Sequence, residues 1–197
     1  MENSNLKSVY LESRAAWRKW LAENHLSEKN IWLKIYKKQS STPSVYYDEA
    51  VDEALCFGWI DSSIKKGNDD FYYQFFAKRN PKSNWSRVNK LKVERLINGG
   101  LMVEAGLKMI EIAKETGTWT ALDDVENLIN SPDLQEKLEQ NLTAKNYFEA
   151  FPRSVKRGVL EWLLNAKQAE TRMKRIEEIV TLAEKNERAN QYKPKTA

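Results

Sequence analysis

Ala54-Leu55-Cys56-Phe57-Gly58-Trp59-Ile60-Asp61 is the segment on which the fold turns. Within these eight residues the chain leaves a helix and enters a strand. Upstream, residues 46–57 carry apolar side chains at Tyr47, Ala50, Val51, Ala54 and Leu55, the recurrence of an amphipathic helix. Gly58 ends that helix, because glycine tolerates the left-handed backbone a helix terminus favours. Downstream, residues 59–66 read as a strand. Residues 71–77, with Phe71, Tyr72, Tyr73, Phe75 and Phe76, read as its hairpin partner around Lys66-Gly67-Asn68-Asp69-Asp70.

Working outward, residues 31–37 (Ile-Trp-Leu-Lys-Ile-Tyr-Lys) supply a third strand, and residues 39–44 a loop. Ala16, Trp17, Trp20 and Leu21 place an amphipathic helix over 12–23. After Trp85 the pattern turns helical over 86–98 and 101–115, separated by Gly99-Gly100, and stays helical to about residue 188. Pro132 and Pro152 sit near the start of further helices, where a missing N–H costs little. The last long helix, 169–188, has Met173, Ile176, Ile179, Val180 and Ala183 as its expected buried stripe, and 189–197 should fray. The predicted fold class is α+β, predominantly α-helical with a small antiparallel sheet of about three strands. Residues 1–120 form its helix/sheet part and 121–197 a helical module, expected to pack as one globular unit.

A chain of 197 residues can bury roughly 70% of its unfolded surface. Seven Trp, eight Tyr and six Phe in a 41% hydrophobic chain argue against disorder. The longest apolar run, 54–60, has seven residues, far short of the ~20 a spanning helix needs, so no membrane span is expected. Residues 1–6 lack the basic start and apolar stretch of a secretory signal. The lone Cys56 excludes an internal disulfide and fits a reducing compartment, so a cytoplasmic location is expected. The net charge of +4 is uneven: residues 1–100 hold 17 Lys+Arg against 12 Asp+Glu, and 101–197 hold 15 against 16. The excess gathers at Lys78, Arg79, Lys82, Arg87, Lys90, Lys92 and Arg95, opposed only by Glu94. Such a patch either meets an anion or is a solvated helix face.

Asp48, Glu49, Asp52 and Glu53 crowd one helix. Like charges four apart repel, so partners are expected. The helix dipole accounts for acids in the first turn, Asp48 and Glu49, but poorly for Glu53. For Glu53 the expected partner is Arg79 or Lys65. Strand alternation puts Trp59, Asp61, Ser63 and Lys65 on one face, a polar pocket with an aromatic wall or a surface strand whose Trp covers the core edge. A hairpin brings its ends together, so Arg79 should meet Asp61 and Glu53. In Ser83-Asn84-Trp85-Ser86-Arg87-Val88-Asn89, Ser83 or Asn84 is the expected helix cap, and Ser86 and Asn89 share a face. With Arg79, Lys82 and Arg87 nearby this helix start could hold an anion; the alternative is capping plus a Trp85 core anchor. The lone His25 belongs to no Cys/His cluster, so no metal is expected. Cys56 near a helix C-terminus is a poor nucleophile. No phosphate-loop, dinucleotide, Gly-x-Ser-x-Gly or His-Glu-x-x-His motif occurs.

These motifs together resemble the YdeI/OmpD-associated family, also called bacteriocin-protection proteins. The resemblance runs through Tyr47-Asp48-Glu49-Ala50-Val51, residues 53–61, Arg79, Ser83, Trp85, Ser86 and Asn89, then Ala105-Gly106 and Gly117-Thr118-Trp119. Trp162, Ala166-Lys167, Thr171-Arg172 and Arg175-Ile176 look like that family's helical C-terminal module. Two positions depart. Lys78 stands where a proline commonly precedes the Arg79 position, and Tyr46 where a Ser or Thr would cap the helix, leaving Ser44 as the substitute. The resemblance implies a link to tolerance of bacteriocins or envelope-directed antimicrobials. The expected ligand-binding residues are Glu53, Trp59, Asp61, Lys65, Arg79, Trp85, Ser86 and Asn89, at least four of them converging on one cavity. The reading is a non-catalytic ligand-binding or stress-protection factor for a small anionic ligand, without metal or cofactor. Its rivals are an enzyme acting on a small anionic substrate and a nucleic-acid binder using the basic segment 78–95.

Overall fold

The computed structural model describes residues 7–190, so residues 1–6 and the 191–197 part of the expected frayed tail lie outside the described residues. The chain divides into two compact units, residues 1–120 and 121–197. The first runs β1 (Ser8–Tyr10), α1 (Arg14–Asn24), β2 (Asn30–Tyr36), α2 (Tyr47–Cys56), β3 (Trp59–Lys66), β4 (Phe71–Lys78), α3 (Arg87–Asn98) and α4 (Glu104–Glu115). The α+β class holds. The sheet, however, has four strands in the order β1-β2-β4-β3 and is mixed, because β1 runs parallel to β2. Three residues carry no readable alternation, and pairing alone makes them a strand.

Register sorts the sheet's two faces, since directly paired residues project to the same side. Ile31 pairs with Phe76, Leu33 with Gln74, Ile35 with Tyr72, and Asp61 with Phe76. This is the inner face: Ile31, Leu33, Ile35, Trp59 and Phe76 are all at most 1% exposed. Trp17 of α1 seals it, its ring 5.3 Å from Phe76 and its Nε1–H donating to Ala50 O at 3.0 Å. A break in register between Asp61 and Ile64 then pairs Lys65 with Tyr73. The bulge carries Lys65 to the opposite face from Trp59 and Asp61, so the expected face of 59, 61, 63 and 65 does not exist. An extra residue in one strand flips everything after it, and alternation alone cannot reveal that.

Helix α2 is the unit's axis, with seven consecutive residues, Ala50 to Cys56, buried. Ser44 does not cap it; its hydroxyl accepts from Tyr36 N–H and donates to Val45 O. Instead the Glu49 carboxylate reaches back to Tyr46 N–H at 3.2 Å. Gly58 stops the helix at φ +73°, as expected, where an added Cβ would sit 2.9 Å from Ala105 O. Helix α4 meets the same corner: a Cβ at Gly106 would lie 2.3 Å from Cys56 O. The two glycines let the end of α2 and the start of α4 touch backbone to backbone.

The second unit is helical: α5 (Asp123–Glu126), α6 (Pro132–Glu139), α7 (Leu142–Ala150), α8 (Arg153–Leu164) and α9 (Ala169–Glu184). Pro132 opens α6. Leu134, Leu138, Phe148, Val159, Leu163, Ile176 and Ile179 form its core. Of the expected α9 stripe, Ile176, Ile179 and Ala183 are buried and Val180 half-buried, but Met173 is 62% exposed. No described helix is long and apolar enough to cross a membrane.

Candidate functional site

The acids of α2 resolve into two clamps. The Glu53 carboxylate, 2% exposed, takes Arg14 Nε and Arg18 Nη1 of α1, each at 2.6 Å. Asp52, one residue before it, faces the other flank, where Lys92 Nζ of α3 lies at 2.9 Å and Arg95 also bonds it. Adjacent residues on a helix point about 100° apart, so one acid serves each neighbour. Arg79 and Lys65, the partners expected for Glu53, are not involved. Burial works against the Arg14 charge, but the Glu53 hydrogen bond, the largest influence, raises its pKa.

The other seven expected residues have separate surroundings among the described residues. Trp59 is a core residue, its ring edge-on to Trp20 at 6.0 Å and its Nε1–H directed at His25 O at 3.4 Å. Asp61 accepts from Tyr47 Oη at 2.7 Å, half-buried at the start of α2. The Tyr47 phenol is raised above its ordinary pKa by burial first and by Asp61 second. Lys65 lies on the far side of the sheet. Ser86, rather than Ser83 or Asn84, caps α3, its hydroxyl accepting from Asn89 N–H at 3.3 Å. Ser83 turns back on Asn80 O. Cys56 is buried, and burial pushes its thiol up to about 11, which keeps it protonated and inert.

Arg79 is the surprise. It is 5% exposed and has no carboxylate partner among the described residues. The hairpin does bring its ends together, for Arg79 N–H donates to Gly58 O at 2.9 Å. Its side chain turns away from Asp61 and Glu53. The guanidinium lies 3.8 Å above the Trp85 ring, Nη2 donates to Asn84 O at 2.7 Å, and Nε is buried with no partner. Desolvation lowers its pKa to about 10, still cationic at neutral pH.

Trp85 leads from Arg79 to a second indole. Trp85 N–H donates to Thr118 O at 3.1 Å, and that bond sets Trp119 5.1 Å from Trp85. The ammonium groups of Lys90 and Lys114 each lie 5.7 Å from the Trp119 ring centre. Trp119 in turn walls a cleft of about 400 Å³ between α3 and α4. Its apolar lining includes Leu91, Ile97 and Ile110; Arg87, Lys90 and Lys114 supply cations and Glu94 the one carboxylate. Leu91 is 59% and Ile97 46% exposed. Arg79 is not in the lining; it holds Trp85, which backs Trp119. A hollow of about 570 Å³ near His25 and Phe57 carries Glu104 beside Lys108, a balanced pair of charges with no cation-flanked indole.

Trp119 and Lys114 are the residues missed as a site; Lys90 reads in the sequence only as part of the basic patch. Trp119 stood in the family-like Gly117-Thr118-Trp119, but nothing in the sequence ties it to Trp85, 34 residues earlier. The basic segment 78–95 also changes character. Lys92 and Arg95 are held by Asp52, Lys78 Nζ donates to Leu26 O, and Arg79 is buried. It is not a free cationic stripe.

Fold and site thus define an α+β protein whose first unit carries a cationic, indole-walled cleft, followed in sequence by a helical module. Residues 9–109 match the model of a domain of unknown function (DUF8412), and the chain belongs to that family. Residues 127–186 match a second family model, Bacteriocin-protection, YdeI or OmpD-Associated. The resemblance to the YdeI/OmpD-associated family is therefore carried by the C-terminal module, while segments 54–61 and 83–89 fall within the other match. Neither a curated protein nor a solved structure gives a significant match.

Proposed function

We propose that the chain is a non-catalytic binding protein for a small organic anion with a flat or apolar body, seated in the α3–α4 cleft against Trp119. The observation that carries this reading is Trp119 itself, a cleft wall with two ammonium groups over its ring. An apolar body gains from leaving water against Leu91, Ile97 and Ile110. Lys90 and Lys114 meet the charge at the indole end. Acid–base catalysis has little support. Glu53 is held by two arginines, Asp61 by Tyr47, and the two carboxylates belong to different contacts. The second family's description, bacteriocin protection, supports a role in tolerance of bacteriocins; the cytoplasmic location is proposed from the lone cysteine alone.

Titration with 1-anilinonaphthalene-8-sulfonate, a flat apolar sulfonate, tests the reading. One molecule should bind per chain with fluorescence enhancement. Trp119→Ala and the pair Lys90→Gln/Lys114→Gln should each weaken binding by about tenfold or more, with unchanged far-ultraviolet circular dichroism. Equal affinity in those variants refutes the assignment.

A further inference from the structure

The cleft between α3 and α4 is graded along its length. Among the described residues its lining has one ring, Trp119, and one carboxylate, Glu94. Trp119 stands at one end, with Lys90 and Lys114 each 5.7 Å from its ring centre. Beyond it the apolar lining is aliphatic: Leu91, Val93, Ile97 and Ile110. Ile97 is seven residues past Lys90 on α3, which sets it ~10.5 Å further along the helix axis. Glu94 comes between them, and the uncharged Asn98 stands at the far end. Helix α4 returns along α3: residues 99–103 join Asn98 to Glu104, and Lys114 comes back to the ring that Lys90 reaches. Leu91 and Ile97 face solvent in part, whereas Val93 and Ile110 are closed off at 1% and 5% exposure.

We propose that the cleft's ligand is a straight-chain monocarboxylate of about eight to ten carbons, its carboxylate at Lys114 beside Trp119 and its chain running along α3 to Ile97. This rests on the cleft being the anion site argued above. Charge sets the direction. At the indole end a carboxylate meets Lys114, and deeper in the cleft it meets Glu94. Shape sets the body. A flat ligand would find one ring to stack on and branched aliphatic side chains after it, whereas a flexible chain packs against all of them. Length follows from the helix. An extended alkyl chain advances ~1.3 Å per carbon, a 1.52 Å bond projected on its axis, so about eight carbons cover the distance from Lys90 to Ile97. A partner helix does not fit: a single turn, ~10 Å across and 5.4 Å long, would fill the whole cleft of about 400 Å³.

The full chain carrying 1-anilinonaphthalene-8-sulfonate is titrated with hexanoate, octanoate, decanoate and decyltrimethylammonium, and displacement is read by fluorescence. A fully buried methylene raises affinity about fourfold. In this half-open cleft each should add about twofold or more, so decanoate should bind about 16-fold or more tighter than hexanoate. Decyltrimethylammonium, with the same chain and the opposite charge, should bind about tenfold or more weaker than decanoate. Lys114→Gln should weaken hexanoate and decanoate alike, by about threefold. Ile97→Ala should cut the decanoate-to-hexanoate affinity ratio by about threefold, since only the longer chain reaches it. Circular dichroism checks folding, and the series on the unaltered chain keeps the test decisive if a variant unfolds. Equal affinity across the series, decyltrimethylammonium binding as tightly as decanoate, or a parent-like ratio in Ile97→Ala overturns the proposal. If the sulfonate binds Trp119→Ala as it binds the parent, the cleft reading fails and the proposal with it. If the sulfonate needs Trp119 but decanoate does not displace it, the proposal alone fails.

Discussion

Replacing Glu53 with glutamine tests how the first unit is held. The carboxylate is 2% exposed and receives two guanidinium bonds of 2.6 Å, from Arg14 and Arg18. Breaking a buried pair by removing one partner costs about 3–5 kcal/mol when the surviving charge is left in a dry site. Here the survivors are 38% and 33% exposed and can rehydrate in place. Exposed pairs contribute only about 0–1 kcal/mol. Glutamine keeps the volume and one acceptor oxygen. The expected loss for Glu53→Gln is therefore about 2 kcal/mol, read as a lower midpoint in urea at unchanged m-value. A double-mutant cycle with Arg14→Ala should return a coupling of about 1 kcal/mol or more. A loss below about 0.5 kcal/mol, with additive single variants, would refute the clamp.

Three further outcomes are expected. Gly106→Ala should cost about 2–3 kcal/mol in urea unfolding, because its Cβ meets Cys56 O at 2.3 Å, whereas Gly158→Ala, with nothing within 4 Å, should be neutral or stabilise α8 by up to about 1 kcal/mol. Arg79→Met should change stability by less than about 1 kcal/mol, since no carboxylate is stranded and a desolvated charge is removed; a loss of 3 kcal/mol or more would reveal an ionic partner. In the second unit, the hydrogen bond from Arg172 holds Asp133 well below the ordinary carboxylate range. A depressed folded pKa means the unfolded chain binds the extra proton, so this stability is present above the unfolded value of about 3.9 and lost as pH falls. With the side chain 43% exposed, the contribution is about 0.5–1 kcal/mol. Melting of Asp133→Asn should therefore fall below the parent at pH 6 and converge with it near pH 2.

The helix–glycine–strand reading of 54–61 survives in the structure because each signal there is local: a periodic apolar stripe, a left-handed glycine, and a switch to alternation. Local signals also located α1, β2, β4, α3 and α9 to within a few residues. What failed was non-local. The bulge after Asp61 moved Lys65 to the other face, and no residue type announces it. Glu53 found arginines 39 and 35 positions back rather than the cation at the hairpin's end. Of the expected site residues, Trp85 alone leads to the cleft, with Arg79 stacked on it. The rest became core, cap, clamp or opposite face. Trp119 entered through one backbone hydrogen bond between distant loops.

The central claim is that Trp119 walls a binding cleft. The indole N–H resonances of the seven tryptophans, assigned by single Trp→Phe variants, report on it directly during titration with 1-anilinonaphthalene-8-sulfonate. The account predicts that the Trp119 resonance shifts most and Trp85 next. Trp17, Trp59 and Trp162 should stay still. Saturation with Trp119 unmoved, or with the largest shift at any other indole, would contradict it.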